Sequence, residues 1–177
     1  MLFYREAQLA PGKYNVQLLA FDGTAGTISV RSSSLEVPPA DDARLRLSSL
    51  AVLKRAEQLT PEEQKRDQPF HFGELVVYPN LGEPIVKSAA KQLTFFFTAW
   101  PAKVSSAPLK LTLQILQNQK PLGQTSTDLP AADAQGQIKY ASSIPLDKFP
   151  AGVFLLKITV SDGKSSVSRS TEFTIGG

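Results

Sequence analysis

A single histidine, His71, would have to serve any Ser/His/Asp system in these 177 residues. It stands in "PFHFG", between two phenylalanines at the start of a strand. That setting reads as structural or solvent-facing rather than as a general base. One histidine and no cysteine leave no ligand set for a zinc centre of the usual nitrogen and sulfur kind. They also leave no thiol nucleophile and no disulfide. No glycine-rich phosphate loop of either common type occurs. The carboxylates are scattered. Asp41-Asp42 follows Pro38-Pro39 at a joint, and such joints bind calcium in some tandem sandwiches through several oxygen ligands. Asp22, in a neighbouring turn, and Glu36 would join Asp41 and Asp42 there. The alternative is a solvated, turn-forming acidic pair. A glycosidase pair cannot be named from spacing, and few acids lie near aromatics. The expectation is therefore a non-enzyme, with no catalytic residue and no cofactor.

The strongest surface candidate is "QLTFFFTAW", residues 92–100. Alternation puts Leu93, Phe95, Phe97 and Ala99 on one face of a strand and Thr94, Phe96, Thr98 and Trp100 on the other. Two large aromatics on a nominal outer face need a cover. The linker, the N-terminal hairpin, a protein partner or a carbohydrate would each supply one.

Strands must hold these groups. "LAPGKYNVQLLAFDG", residues 9–23, and "FPAGVFLLKITVSDG", residues 149–163, are two versions of one pattern. Tyr14, Val16, Leu18 and Ala20 share a face in the first; Phe154, Leu156, Ile158 and Val160 share one in the second. Asp-Gly then reverses the chain, because this dipeptide tolerates positive φ. A returning strand follows each time: "ISVRSSSLEV" and "SSVSRSTEFTI". Arg31 matches Arg169, Leu35 matches Phe173 and Val37 matches Ile175 once two residues are dropped from the second loop. Leu9…Tyr14 and Phe149…Phe154 have the spacing of the corner before the penultimate strand of immunoglobulin-like sandwiches, where a tyrosine hydroxyl bonds back to nearby backbone. Tyr14 can make that bond; Phe154 must rely on packing.

Further strands are expected at Arg44–Leu53, Glu74–Tyr78, Gln92–Trp100, Leu109–Gln117, Leu122–Asp128 and Gln137–Ile144, with turn residues between them. The one helix-like piece, residues 59–69, is short and reads as a polar linker turn around Thr60, Pro61 and Glu63. The fold class expected is all-β: a complete immunoglobulin/fibronectin type III-like sandwich at 40–177. Before it, residues 1–39 read as the C-terminal hairpin of a truncated module, with an edge strand at Leu2–Glu6. A lone hairpin is marginal in water, so the chain is expected to be the tail of a longer protein.

Composition sets the outer limits. The hydrophobic share of 42% supports a core, and 20% charged residues argue against wholesale disorder. Net charge is +3. Residues 1–69 hold nine Lys/Arg against nine Asp/Glu, and residues 70–177 ten against seven. The excess is spread singly rather than clustered, so no nucleic-acid partner is expected. No apolar run reaches the ~20 residues of a membrane span, and no signal peptide opens the chain.

"LFYREAQLAPGKYNVQLLAFDGTAGTISVRSSSLEVP", "RLRLSSLAVLKRAEQL", "PFHFGELVVYPNLGEPI" and "IPLDKFPAGVFLLKITVSDGKSSVSRSTEFTI" together resemble the C-terminal β-sandwich region of acidobacterial von Willebrand factor A-related proteins, over nearly the whole chain. The resemblance implies an exported protein with an upstream A-type domain, placed outside the cell or in the envelope, in adhesion or scaffolding. The Asp-x-Ser-x-Ser metal motif of that A-type domain is missing. Asp162-Gly-Lys-Ser165-Ser166 has the wrong spacing and lies in a turn. The expected function is a non-catalytic spacer or interaction module. The alternatives are a carbohydrate-binding accessory module and a strand-exchanged homo-oligomer.

Overall fold

The computed structural model describes residues 7–39, 41–62, 71–72, 74–103 and 107–176. Every regular element among them is a strand. The chain divides into two compact units, Met1–Asp41 and Asp42–Gly177. The expected edge strand at Leu2–Glu6 and most of the 59–69 piece lie outside the described residues.

The first unit is a hairpin of β1 (Gly12–Asp22) and β2 (Thr27–Val37), paired antiparallel without a register break from Asp22↔Thr27 to Gly12↔Val37. Its loop takes the left-handed conformation at Gly26, with φ of 64°, rather than at Gly23 as the Asp-Gly signal suggested. Glycine suits Gly26 because it has no Cβ to clash.

The second unit holds β3 (Arg46–Leu47), β4 (Ala51–Gln58), β5 (His71–Phe72), β6 (Leu75–Pro79), β7 (Ile85–Val86), β8 (Gln92–Trp100), β9 (Lys110–Gln117), β10 (Lys120–Asp128), β11 (Ile138–Pro145), β12 (Gly152–Ser161) and β13 (Ser166–Gly176). One sheet runs β10-β9-β12-β13-β7, and the other β11-β8-β4-β6-β5 with β3 also beside β8. The chain passes between sheets from β8 to β9, β10 to β11 and β11 to β12, so β12 lies between β9 and its own hairpin partner β13. This is a two-sheet β-sandwich.

Alternation dictates the core. Leu93, Phe95, Phe97 and Ala99 of β8 face Phe154, Leu156, Ile158 and Val160 of β12 within one apolar cluster, each no more than 1% exposed. Complete burial of one such side chain contributes about 1.5–3 kcal/mol. Leu111, Leu113 and Ile115 of β9 complete the layer beside β12, opposite Val160, Ile158 and Leu156. The β9–β10 hairpin turns on Asn118 and Gln119, both at positive φ (50° and 65°), as a two-residue primed turn requires.

The expected first strand, Arg44–Leu53, differs in the structure. It breaks after Leu47, resumes at Ala51 and runs on to Gln58. Two bonds of Ser48 span the break: its N–H donates to the Thr98 carbonyl (2.9 Å), and its Oγ accepts the Thr98 N–H (2.9 Å). Leu53 pairs with Thr94 of β8 on one side and Pro79 of β6 on the other; the β8 ladder ends there, and the β6 ladder continues past a bulge between Leu53 and Arg55. The continuation "KRAEQ" is polar and exposed, so only pairing with β6 makes it a strand. Leu59, assigned to a polar linker by sequence, is buried, and its N–H donates to the Glu74 carbonyl (2.7 Å).

Candidate functional site

The outer face of β8 carries the aromatic strip. Phe96 stands between Ala51 of β4 and Ala141 of β11, its direct cross-strand neighbours. Residues directly opposite share a face, so the ring lies between two methyl groups and is half-buried. Thr94 lies between Leu53 and Ser143, and its hydroxyl is 2.9 Å from that of Ser143. Thr98, opposite Lys139, is buried. Trp100, opposite Arg46 of β3, is half-buried with the guanidinium 5.7 Å from the ring centroid. Part of the cover that Trp100 needs is therefore intramolecular.

Arg46 ties the strip to an acidic residue. Its Nη2 lies 2.9 Å from Asp42 Oδ1, and Lys103 Nζ lies 2.6 Å from Asp42 Oδ2. The Lys103 ammonium, by hydrogen bond and charge, holds the Asp42 carboxyl below its ordinary range, with a smaller contribution from Arg46. Both Asp42 oxygens thus face cations of the protein. Asp22, in the other unit, accepts the N–H groups of Thr24 (2.9 Å) and Ala25 (3.1 Å) through Oδ1. Those backbone bonds, Ala25 first, lower its pKa. Among the described residues no group of three His, Asp or Glu side chains is placed to hold a metal. Of the expected calcium ligands, Asp22 and Asp41 belong to the first unit and Asp42 to the second. His71 begins β5 opposite Val76; its side chain lies outside the described residues.

Two features had no clear sequence signal. Arg55 of β4 stacks over Tyr78 of β6 at 4.2 Å, and Glu57 forms an ion pair with Arg55 (3.1 Å) and accepts the Tyr78 hydroxyl (3.1 Å). Arg55 and Glu57 are two apart, hence on one face, but only the β4 extension makes that spacing meaningful. Along the open flank between β10 and β11 runs a groove of about 400 Å³, with Phe95, Leu113 and Tyr140 inside it and Thr125, Thr127 and Ser142 along it.

The repeated passages form the second candidate surface. β12 and β13 pair from Ser161↔Ser166 to Gly152↔Ile175. Tyr14↔Leu35, Leu18↔Arg31 and Gly12↔Val37 in the first hairpin correspond to Phe154↔Phe173, Ile158↔Arg169 and Gly152↔Ile175 in the second. The sequence correspondence is thus a correspondence of register. Tyr14 donates its hydroxyl to the Ala10 carbonyl at 2.7 Å, the corner bond expected from spacing. Phe154 packs edge-on against Phe149, centroids 5.8 Å apart, and stacks on Phe173 at 5.4 Å. Each turn is also held alike: Asp162 Oδ1 accepts the N–H groups of Lys164 (3.0 Å) and Ser165 (2.7 Å), as Asp22 does for Thr24 and Ala25.

The surroundings differ. β12 is flanked by β9, and its inner face is buried. In the first hairpin Val16, Leu18 and Leu35 are 39%, 66% and 42% exposed. On its other face Leu19, Phe21, Ile28 and Val30 form an exposed apolar group near the turn. The corresponding positions of the second hairpin are Thr159, Ser161, Ser166 and Ser168. No family model matches the chain, and no curated protein matches it.

Proposed function

We propose that this chain is a non-catalytic interaction and spacer segment of an exported bacterial protein, built from β-modules in tandem. The observation that carries this reading is the closing-type hairpin found twice in one register, once inside a sandwich and once with its apolar face open. The strand order β10-β9-β12-β13 against β11-β8-β4 supports an immunoglobulin/fibronectin type III kind of module, as does the tyrosine corner. Modules of this kind hold neighbours apart and offer faces and edges to partners. Resemblance to the C-terminal region of von Willebrand factor A-related proteins supports an extracellular or envelope setting. Protease shaving of intact host cells tests this reading. Peptides of this chain in the supernatant, without those of cytoplasmic markers, are expected. Their release only after lysis would overturn the exported placement.

A carbohydrate-binding role is the second reading. It is favoured by the half-buried Phe96 ring beside the paired hydroxyls of Thr94 and Ser143. Trp100 is the only tryptophan, so its fluorescence reports directly on the strip. A saturable change with a soluble oligosaccharide is expected on this reading, and a flat titration removes it.

A further inference from the structure

We propose that the β1–β2 hairpin docks into an open β-sandwich lacking its own last two strands. Such a partner offers an antiparallel strand of alternating apolar residues to the edge of β1 that faces away from β2 and pairs with no other strand among the described residues. It offers an apolar sheet face to Tyr14, Val16, Leu18 and Leu35. This inference rests on the tandem-module reading above and names the chemistry of the partner.

The second hairpin shows what covers a surface of this design. The outer edge of β12 takes β9 antiparallel from Leu155↔Leu116 to Ser161↔Lys110. Within that ladder Leu111, Leu113 and Ile115 oppose Val160, Ile158 and Leu156. The residues at those places in β1 are Ala20, Leu18 and Val16, so the same apolar side chains would meet them. Arg169 sends its guanidinium across the sandwich to the Leu47 carbonyl at 3.1 Å. Arg31 holds the matching register position and is ready for a carbonyl of the partner's opposite sheet.

The edge is also built for pairing. A long unpaired edge is a template for strand addition, and proteins protect such edges with proline and bulges. The edge strand β10 carries both, at Pro121 and between Pro121 and Gly123. β1 contains no proline, and its ladder to β2 is unbroken over eleven residues.

The test adds a synthetic peptide of residues 109–117, the strand that covers the matching edge, to the full chain. Hydrogen exchange is followed by mass spectrometry. Peptide at saturation is expected to slow exchange across residues 13–21 by about tenfold or more. The same peptide carrying Leu113→Lys should give no protection. The chain variant L19T/F21S, which adopts the solvent-face residues of the second hairpin, should keep the effect. Unchanged exchange in β1 overturns the proposal, as does equal protection by the Leu113→Lys peptide. Two results without peptide overturn it as well. Concentration-independent protection of the alternate β1 amides that point away from β2 would place another segment of the same chain on the edge. Protection growing with concentration would place a second copy there. None of these outcomes bears on protease shaving, so the two readings fail separately.

Discussion

Asp22 and Asp162 each close a hairpin with a single oxygen. At Asp162 the bonds from the Ser165 and Lys164 N–H groups hold the carboxyl below its ordinary range, although burial opposes them. A pKa lower in the folded than in the unfolded chain gives stability that is complete above the unfolded value of about 4 and is lost as pH falls through the folded value. Denaturation followed by Trp100 fluorescence should therefore lose stability more steeply below pH ~4 in the parent than in Asp162→Asn. Equal slopes would remove this carboxylate from the acid response. Ser48 carries a second residue-scale prediction. Its Oγ is the acceptor for the part-buried Thr98 N–H, so Ser48→Ala should destabilise the second unit by about 1–2 kcal/mol. A loss under about 0.3 kcal/mol would mean that another acceptor takes that proton. Tyr14 was legible in the sequence because a corner has a fixed spacing. The roles of Arg46 and Ser48 beside Trp100 and Thr98 were not, because those partners are set by strand pairing rather than by proximity along the chain.

The hairpin is the element that occurs twice, and its two settings separate local design from burial. Leu156 is fully buried in β12, whereas its counterpart Val16 is 39% exposed in β1. Leu156→Ala should lower the stability seen by Trp100 by about 2–5 kcal/mol. Val16→Ala should change it by no more than about 0.5 kcal/mol. Guanidinium titration of both variants measures the difference, and similar losses would show the two hairpins sharing one cooperative core. Strands such as Gln92–Trp100 were readable because alternation over several residues marks a half-buried strand. The short β5 and β7 were not, since two residues carry no period. The β4 extension was missed for a different reason. "KRAEQ" has no apolar face, and a ladder to β6 overrides its composition.

At the scale of the molecule the two units rest on different support. The second buries a continuous apolar cluster between two sheets. Among its described residues the first is one two-stranded ribbon, and such ribbons are marginal in water. Amide exchange in β12 should require global opening of its unit, while β1 should exchange through local opening. Comparable protection in β1 and β12 without added partner would contradict that division. The all-β class was legible in the sequence from turn residues spaced between alternating runs. The most direct measurement is the cross-strand proton contacts of the full chain by nuclear magnetic resonance. Paired register predicts contacts between Tyr14 and Leu35 and between Leu18 and Arg31, matched by Phe154 with Phe173 and Ile158 with Arg169. A first ribbon shifted by even one residue from that pairing, or left unpaired, would contradict the claim that one closing hairpin is present twice.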